Sequence, residues 1–422
     1  MGQHGGGTFL LVYIPCLFLV AFPLMMSELM IGRQGRSNPV HAIINVARLH
    51  KLKIAWQIIG WLGIITSFLI FSYYSVVASW ILFYILKSAS GSFVDVPAEI
   101  VQHSYGALLH NSDQMLIWHG VFVLMVVMVL ARGIRRGLEW ALRLLMPCFI
   151  ALIVWLCVFA SQVGDFEQAL DFVFSVDLSL INRSLIVSAL TQALFTLSVC
   201  GGVLIIYGSY LGNERSLFSG SAVILLSNTA IALIMGLMIF SIVFAFDMQA
   251  DSGPGLIFQT LPVAFSQMPN DSILWSTLFF SLLLVAALTS GFALLEPAIV
   301  WMIDQFSISR RAAAWVVGIL AWGVGWLSVY SFSDYQFSFY HFGELYQNGF
   351  FDLFNLLTTH FLMPLTALLV AIFAAWLMNN EAVRESFAIR FHVFFRLWRF
   401  CTRFIAPVII SVVLLLVALS RL

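Results

Sequence analysis

Apolar residues run through this chain in long unbroken stretches instead of alternating with polar ones. Ten runs reach or approach the roughly 17–25 residues that cross a bilayer as a helix. They lie at about 8–32, 55–86, 114–131, 140–161, 184–211, 217–246, 272–303, 312–330, 352–379 and 404–420. The stretch 255–268 is too short to span and is broken by Pro262, which predicts a re-entrant or surface helix. The fifth run is unusual. Its core, LTQALFTLSVCGGVLIIYGSYL at 190–211, places Thr196, Ser198, Cys200, Gly201 and Gly202 where a spanning segment sits deepest. A glycine pair beside hydroxyls is a place for a helix to unwind. Unwound backbone at that depth survives only where it is buried in protein or lines a cavity. Two opposed half-helix ends then offer N–H dipoles to an anion and carbonyls to a cation at mid-membrane. Close helix packing through small residues is the competing explanation of the same pattern.

Composition agrees with a membrane protein: 61% of residues are hydrophobic, 9% are charged, and mean hydropathy is +0.99. The net charge of zero gives no footprint for nucleic acid. The five cysteines, at 16, 148, 157, 200 and 401, form no C-x-x-C pair, so neither zinc nor a disulfide frame is indicated. Basic residues set the orientation. With loops alternating across the membrane, 17 of the 20 Lys and Arg fall on one side, and only Lys87, Arg183 and Arg421 on the other. That bias makes the rich side cytoplasmic and puts both ends of this sequence outside. The segment 380–403 interleaves Arg with Phe387, Phe391, Phe394, Phe395 and Trp398, and is expected along the inner membrane surface.

Two carboxylates, Glu28 and Glu296, lie inside apolar runs. Such groups are costly in lipid and are functional candidates by default. Here a structural role is the better reading: Glu28 as an acceptor for unwound backbone, and Glu296 beside Pro297, where the helix ladder already lacks a donor. Hydroxyl and amide clusters are more informative. Ser72 to Ser75 in the second run, Ser227-Asn228-Thr229 in the sixth, and Ala286 with Thr289-Ser290-Gly291 in the seventh carry hard oxygen ligands suited to hard cations. One such cluster is ordinary helix glue. Several, around one breakable helix, point to a transport site. No phosphate loop, HExxH or nucleophile elbow is present, so an enzyme has little support.

At this point the sequence resembles the bacterial neurotransmitter:sodium symporters. The matching pieces are GGGTFLLVY (5–13), SELMIGR (27–33), SYYSVVASW (72–80), QALFTLSVCGG with YGSYL (192–211), SNTAIALIMGLMIFS (227–241), GPGLIFQTLPVAFSQMP (253–269) and ALTSGFALLEP (287–297). They follow the family order over nearly the whole chain. The resemblance implies an all-α membrane protein with an inverted five-helix repeat and a broken central helix. It implies sodium-coupled symport of an amino acid or related small amine across the bacterial inner membrane, by alternating access around a midplane site. By position, Thr196 and Asn228 match ligands of the first sodium. Ala286 (through its carbonyl), Thr289 and Ser290 match ligands of the second. Tyr74 matches the tyrosine that meets the substrate carboxylate. Ile70, Phe195, Thr196, Ser198, Gly201, Gly291 and Leu294 match the substrate pocket, and Tyr210 and Asp304 parts of the inner gate. Gly at 201, where relatives often carry an aromatic, together with Gly291, suggests room for a bulky apolar or aromatic side chain.

Departures matter too. The family's first span, which supplies ligands to both sodiums, is expected to be missing, with residues 1–7 matching its end. The first repeat then covers 8–161 without its leading helix, the second 184–379, and the last span 404–422. Asn355 stands in the place of the outer-gate acid. Ala232 stands where chloride-dependent members have Ser and some bacterial members have an acid, while Tyr13 and Gln192 match the rest of the chloride site, which leaves chloride dependence open. The alternative function is a truncated, non-transporting remnant or membrane interaction protein. The implied partners are an amino acid, sodium as coupling ion and the lipid bilayer, with no other cofactor; oligomeric state is not set by the sequence.

Overall fold

The computed structural model describes residues 5–419 except 95, 213–215, 247, 249–252, 269–271, 334–336, 342–343 and 388–391. Residues 1–4, Phe391 and Arg421, named above, and two of the counted arginines, 215 and 390, lie outside the described residues. The described residues are almost all helical. In order the helices are α1 (Gly6–Gly35), α2 (Pro39–Leu49), α3 (Ile54–Ala89), α4 (Ala98–Leu109), α5 (Ser112–Ala131), α6 (Ile134–Val163) and α7 (Phe166–Phe174). Then come α8 (Arg183–Thr196), α9 (Val203–Tyr210), α10 (Leu217–Ala245), α11 (Leu256–Ser266), α12 (Ser272–Phe306) and α13 (Arg310–Tyr330). After a small antiparallel hairpin, β1 (Phe339–His341) with β2 (Glu344–Tyr346), follow α14 (Gly349–Leu377), α15 (Asn380–Phe387) and α16 (Val393–Ala418).

Among the described residues nine helices are long and apolar enough to cross a membrane, where the sequence has ten apolar runs. The difference is the fifth run. It divides into α8 and α9, each too short to count alone. A second difference lies near the C-terminus. Helix His392–Phe400 continues through Cys401–Ile405 into Ala406–Leu419, so the last helix starts well before 404. The Trp398 indole in that first part is buried and donates to the Pro23 carbonyl at 3.0 Å.

Prolines shape several spans. A proline removes one donor and crowds the carbonyl four residues earlier, so the turn before it widens. Wide π-type turns at Leu17–Ala21, Leu256–Thr260 and Leu357–Leu362 precede Pro23, Pro262 and Pro364. At Pro262 the carbonyl released is that of Phe258, and the buried Tyr84 hydroxyl donates to it at 2.6 Å. The rings of Trp80, Tyr105 and Phe258 pack edge and face around that bond, which fixes α4 and α11 against α3. The middle of the molecule is built by α3 against α12 and by α1 against α9. Gly32 makes the second pairing possible: a Cβ there would overlap the Ile205 carbonyl oxygen.

Candidate functional site

Backbone chemistry at 197–202 defines the site. The α8 ladder ends at Thr196 and α9 begins at Val203. Ser198, Cys200 and Gly202 have φ of 53°, 72° and 68°. Glycine adopts this region freely, but a side chain makes it unfavourable by about 1–3 kcal/mol. The surroundings compensate at named points. The Cys200 N–H donates to Glu28 Oε1 at 2.9 Å, and Glu28 is fully buried on α1. The Asn228 side-chain amide of α10 donates to the Thr196 carbonyl at 2.8 Å. Gly63 of α3 presses on the Gly202 nitrogen, where an added Cβ would come within 2.8 Å.

Two groups of polar side chains stand out, one at the break and one between α3 and α12. In the first group, Gln192 Nε2 donates to the Thr196 hydroxyl at 3.3 Å, and the Tyr13 hydroxyl also bonds that threonine. Asn228 Nδ2 is committed to the Thr196 carbonyl, and Asn228 Oδ1 takes no hydrogen bond among the described residues. In the second group, the Thr289 hydroxyl donates to the Ala286 carbonyl at 2.9 Å. The Tyr74 hydroxyl reaches the Ala287 carbonyl at 3.4 Å and bonds Ser290. No hydrogen bond joins the two groups among the described residues. Phe195 is 38% exposed, and Ser198 and Ser290 are also exposed, whereas Ile70 is buried and Leu294 half-buried. All donors here are hydroxyl, amide or carbonyl oxygens. Among the described residues no three His, Cys, Asp or Glu side chains converge. The set fits a hard monovalent cation better than a transition metal.

The two pocket glycines behave differently. A Cβ on Gly201 would meet Ser67 and Val203 only at 3.7 and 3.6 Å, in ordinary contact. A Cβ on Gly291 would meet Val126 at 3.1 Å and Phe71 at 3.4 Å. Neighbouring side chains already fill the space at Gly291, so the expectation that both glycines open the pocket rests on Gly201 alone.

Towards the cytoplasmic end, Glu296 accepts from the Tyr210 hydroxyl at 2.8 Å and pairs with Arg310 Nη2 at 2.5 Å. Arg310 Nε also donates to the Leu130 carbonyl at 2.9 Å. One carboxylate therefore joins α9, α12, α13 and α5. Sequence reasoning placed Glu296 beside Pro297 and missed Arg310. The available signal was a cation at the start of the following span, the nearest group able to neutralise a buried acid. Asp304 takes a different partner: Asn38 Nδ2 at 2.6 Å, with Ser37 at 3.4 Å. Tyr210 and Asp304 share an end of the molecule but no bond joins them. Asn355 accepts from the Tyr73 hydroxyl at 3.4 Å, and Tyr73 also meets Thr358 at 3.3 Å.

The chain matches the profile described as "Sodium:neurotransmitter symporter family" over residues 1–107 and 102–421. It is 32% identical to a sodium-dependent transporter of Bacillus subtilis (strain 168), YhdH, over 98% of this chain and 90% of that protein. It is 29% identical to a sodium-dependent transporter of Haemophilus influenzae over 98% of this chain and 91% of that one. Among solved structures, MhsT in complex with L-phenylalanine superposes with a TM-score of 0.88 at 32% identity, covering 98% of this chain and 92% of that one.

Proposed function

Because the chain belongs to the sodium:neurotransmitter symporter family, we propose that it imports an amino acid across the bacterial inner membrane through a midplane site at the broken helix. Sodium is the coupling ion, as for its sodium-dependent relatives, and the chain is a multi-pass membrane transporter, not an enzyme. The observation that carries the reading is the interrupted backbone at 197–202. It is held by Glu28 of α1 and Asn228 of α10.

In this reading Thr196 and Asn228 hold one sodium, and Ala286, Thr289 and Ser290 a second. Tyr74 meets the substrate carboxylate. Ile70, Phe195, Ser198, Gly201 and Leu294 surround its side chain, with Gly291 setting how closely α12 approaches Phe71. Tyr210 and Asp304 belong to the closure on the cytoplasmic side. The repeats 8–161 and 184–379 move against each other around this site. Each sodium that enters down the membrane potential contributes about 2.3 kcal/mol per 100 mV. The substrate is a bulky apolar or aromatic amino acid. MhsT is described in complex with L-phenylalanine, and Gly201 leaves space against Ser67.

The test is equilibrium binding of labelled L-phenylalanine to the purified chain in sodium and in choline, with other amino acids as competitors. Binding is expected only in sodium, with leucine and tryptophan displacing better than glycine and alanine. Asn228→Ala is expected to raise the sodium concentration needed by about tenfold or more, since a polar interaction with a charged group is worth about 1.5–3 kcal/mol. Equal binding in choline contradicts the sodium site, and stronger competition by glycine contradicts the substrate class.

A further inference from the structure

A groove of about 230 Å³ runs between α5 and α13 on the outside of the bundle. Gly120, Val123, Val127, Gly318, Ile319 and Trp322 are among its lining residues, and the lining is almost wholly apolar. Its position along the membrane is fixed by contacts at both ends. At the cytoplasmic end Arg310 Nε holds the Leu130 carbonyl. Nearer the midplane the indole nitrogen of Trp322 sits 3.4 Å from where a Cβ of Gly120 would be. The two helices are therefore antiparallel, with residue 310 beside 130 and residue 322 beside 120. Gly318 faces Val127 so closely that a Cβ there would overlap it. This keeps the backbones near and leaves a slot beside them.

The cytoplasmic mouth of the slot is basic. Arg132 caps α5 and Arg311 is the second residue of α13. Both are exposed, and neither side chain has a hydrogen-bond or ion-pair partner among the described residues. Arg310, the neighbour of Arg311 in sequence, is already committed to Glu296 and Leu130. Helical spacing puts Arg311, Trp315, Gly318 and Trp322 on one stripe of α13. From Arg311 to Trp322 is about 17 Å of helix, close to the thickness of one leaflet's hydrocarbon, about 15 Å.

We propose that this groove is a site for an anionic phospholipid of the inner leaflet. One acyl chain lies along Val127, Gly318 and Gly120, and the phosphate rests between Arg132 and Arg311. Basic pockets between spanning helices on the cytoplasmic side suit such headgroups. Charge complementarity selects an anionic lipid over a zwitterionic one, and the one-leaflet depth selects a lipid over a second copy of the chain.

Native mass spectrometry of the purified chain, given equal phosphatidylglycerol and phosphatidylcholine with identical acyl chains, tests this. Two arginines acting on one phosphate are expected to give roughly a 30-fold preference for phosphatidylglycerol in the first bound lipid. The Arg132→Gln/Arg311→Gln protein is expected to bind both lipids alike, and Arg132→Lys/Arg311→Lys to keep the preference. Ile319→Trp, which fills the slot, is expected to lose the first bound lipid of either kind. Equal retention by the wild type overturns the proposal, as does a preference that survives the glutamine pair. A dimer that carries no lipid and dissociates on Ile319→Arg assigns the groove to a second copy instead and also overturns it.

Discussion

Glu28 and Glu296 are both carboxylates in apolar spans, yet their neighbours give them different work. Glu28 faces one backbone donor, the Cys200 N–H, and among the described residues no cation is bonded to it. Glu28→Gln keeps an acceptor at that position, whereas Glu28→Ala leaves a buried N–H unpaired at about 1–3 kcal/mol. The expected result is sodium-dependent binding retained by Gln and lost by Ala, with a lower thermal midpoint in detergent for Ala. Glu296 is an ion-pair partner instead. Removing it strands Arg310, which is mostly buried, and breaking such a pair costs about 3–5 kcal/mol. Glu296→Gln/Arg310→Gln is expected to be less destabilised than the sum of the two single variants, measured as a double-mutant cycle on thermal unfolding. Additive effects would place the two side chains in independent roles.

Between elements, the recurring device is a backbone group released from a helix and taken up by a side chain from elsewhere. Pro262 releases the Phe258 carbonyl to Tyr84, and the break at 197–202 releases groups to Glu28 and Asn228. Tyr84→Phe is expected to lower stability by about 1–3 kcal/mol through the orphaned carbonyl. It should leave sodium-dependent binding intact, because Tyr84 lies away from the break; a change in sodium affinity would contradict that separation. These pairings mark where the sequence was legible and where it was not. The break itself was readable, because Thr, Ser, Cys and two Gly occupy the deepest part of an apolar run. The partner of Glu296 was not, since Arg310 is a different helix's first residue and only packing brings α13 back along α12. The start of the last helix was misplaced for a related reason. Arg and aromatic residues at 392–403 look interfacial in sequence, but the buried Trp398 indole donates to the Pro23 carbonyl of α1, a contact that only packing supplies. The filled space at Gly291 was invisible for the same cause: Val126 and Phe71 come from other spans.

At the scale of the molecule, the cytoplasmic face is tied together by groups that respond to pH and charge. His50, at the end of α2, accepts the Asn379 N–H at Nδ1 (3.0 Å) and meets Gln34 through Nε2 (3.3 Å). Burial lowers its proton affinity below the ordinary value, so the folded state holds the ring neutral. The unfolded chain then binds the proton more readily. This tether contributes fully above the unfolded pKa of about 6.5 and is lost as pH falls below it. Wild type is expected to lose more thermal stability between about pH 7.5 and about pH 5.5 than His50→Gln, which cannot titrate. An equal loss would remove His50 from the account. The same face carries the excess of Lys and Arg that orients the chain. The account's central claim is that sodium and an amino acid cross together at that break. Its most direct test is uptake of labelled L-phenylalanine into proteoliposomes holding the purified chain, under an inward sodium gradient. Accumulation is expected with sodium outside, to collapse when an ionophore dissipates the gradient, and to be lost in Asn228→Ala. Accumulation of the same size with choline in place of sodium would contradict it.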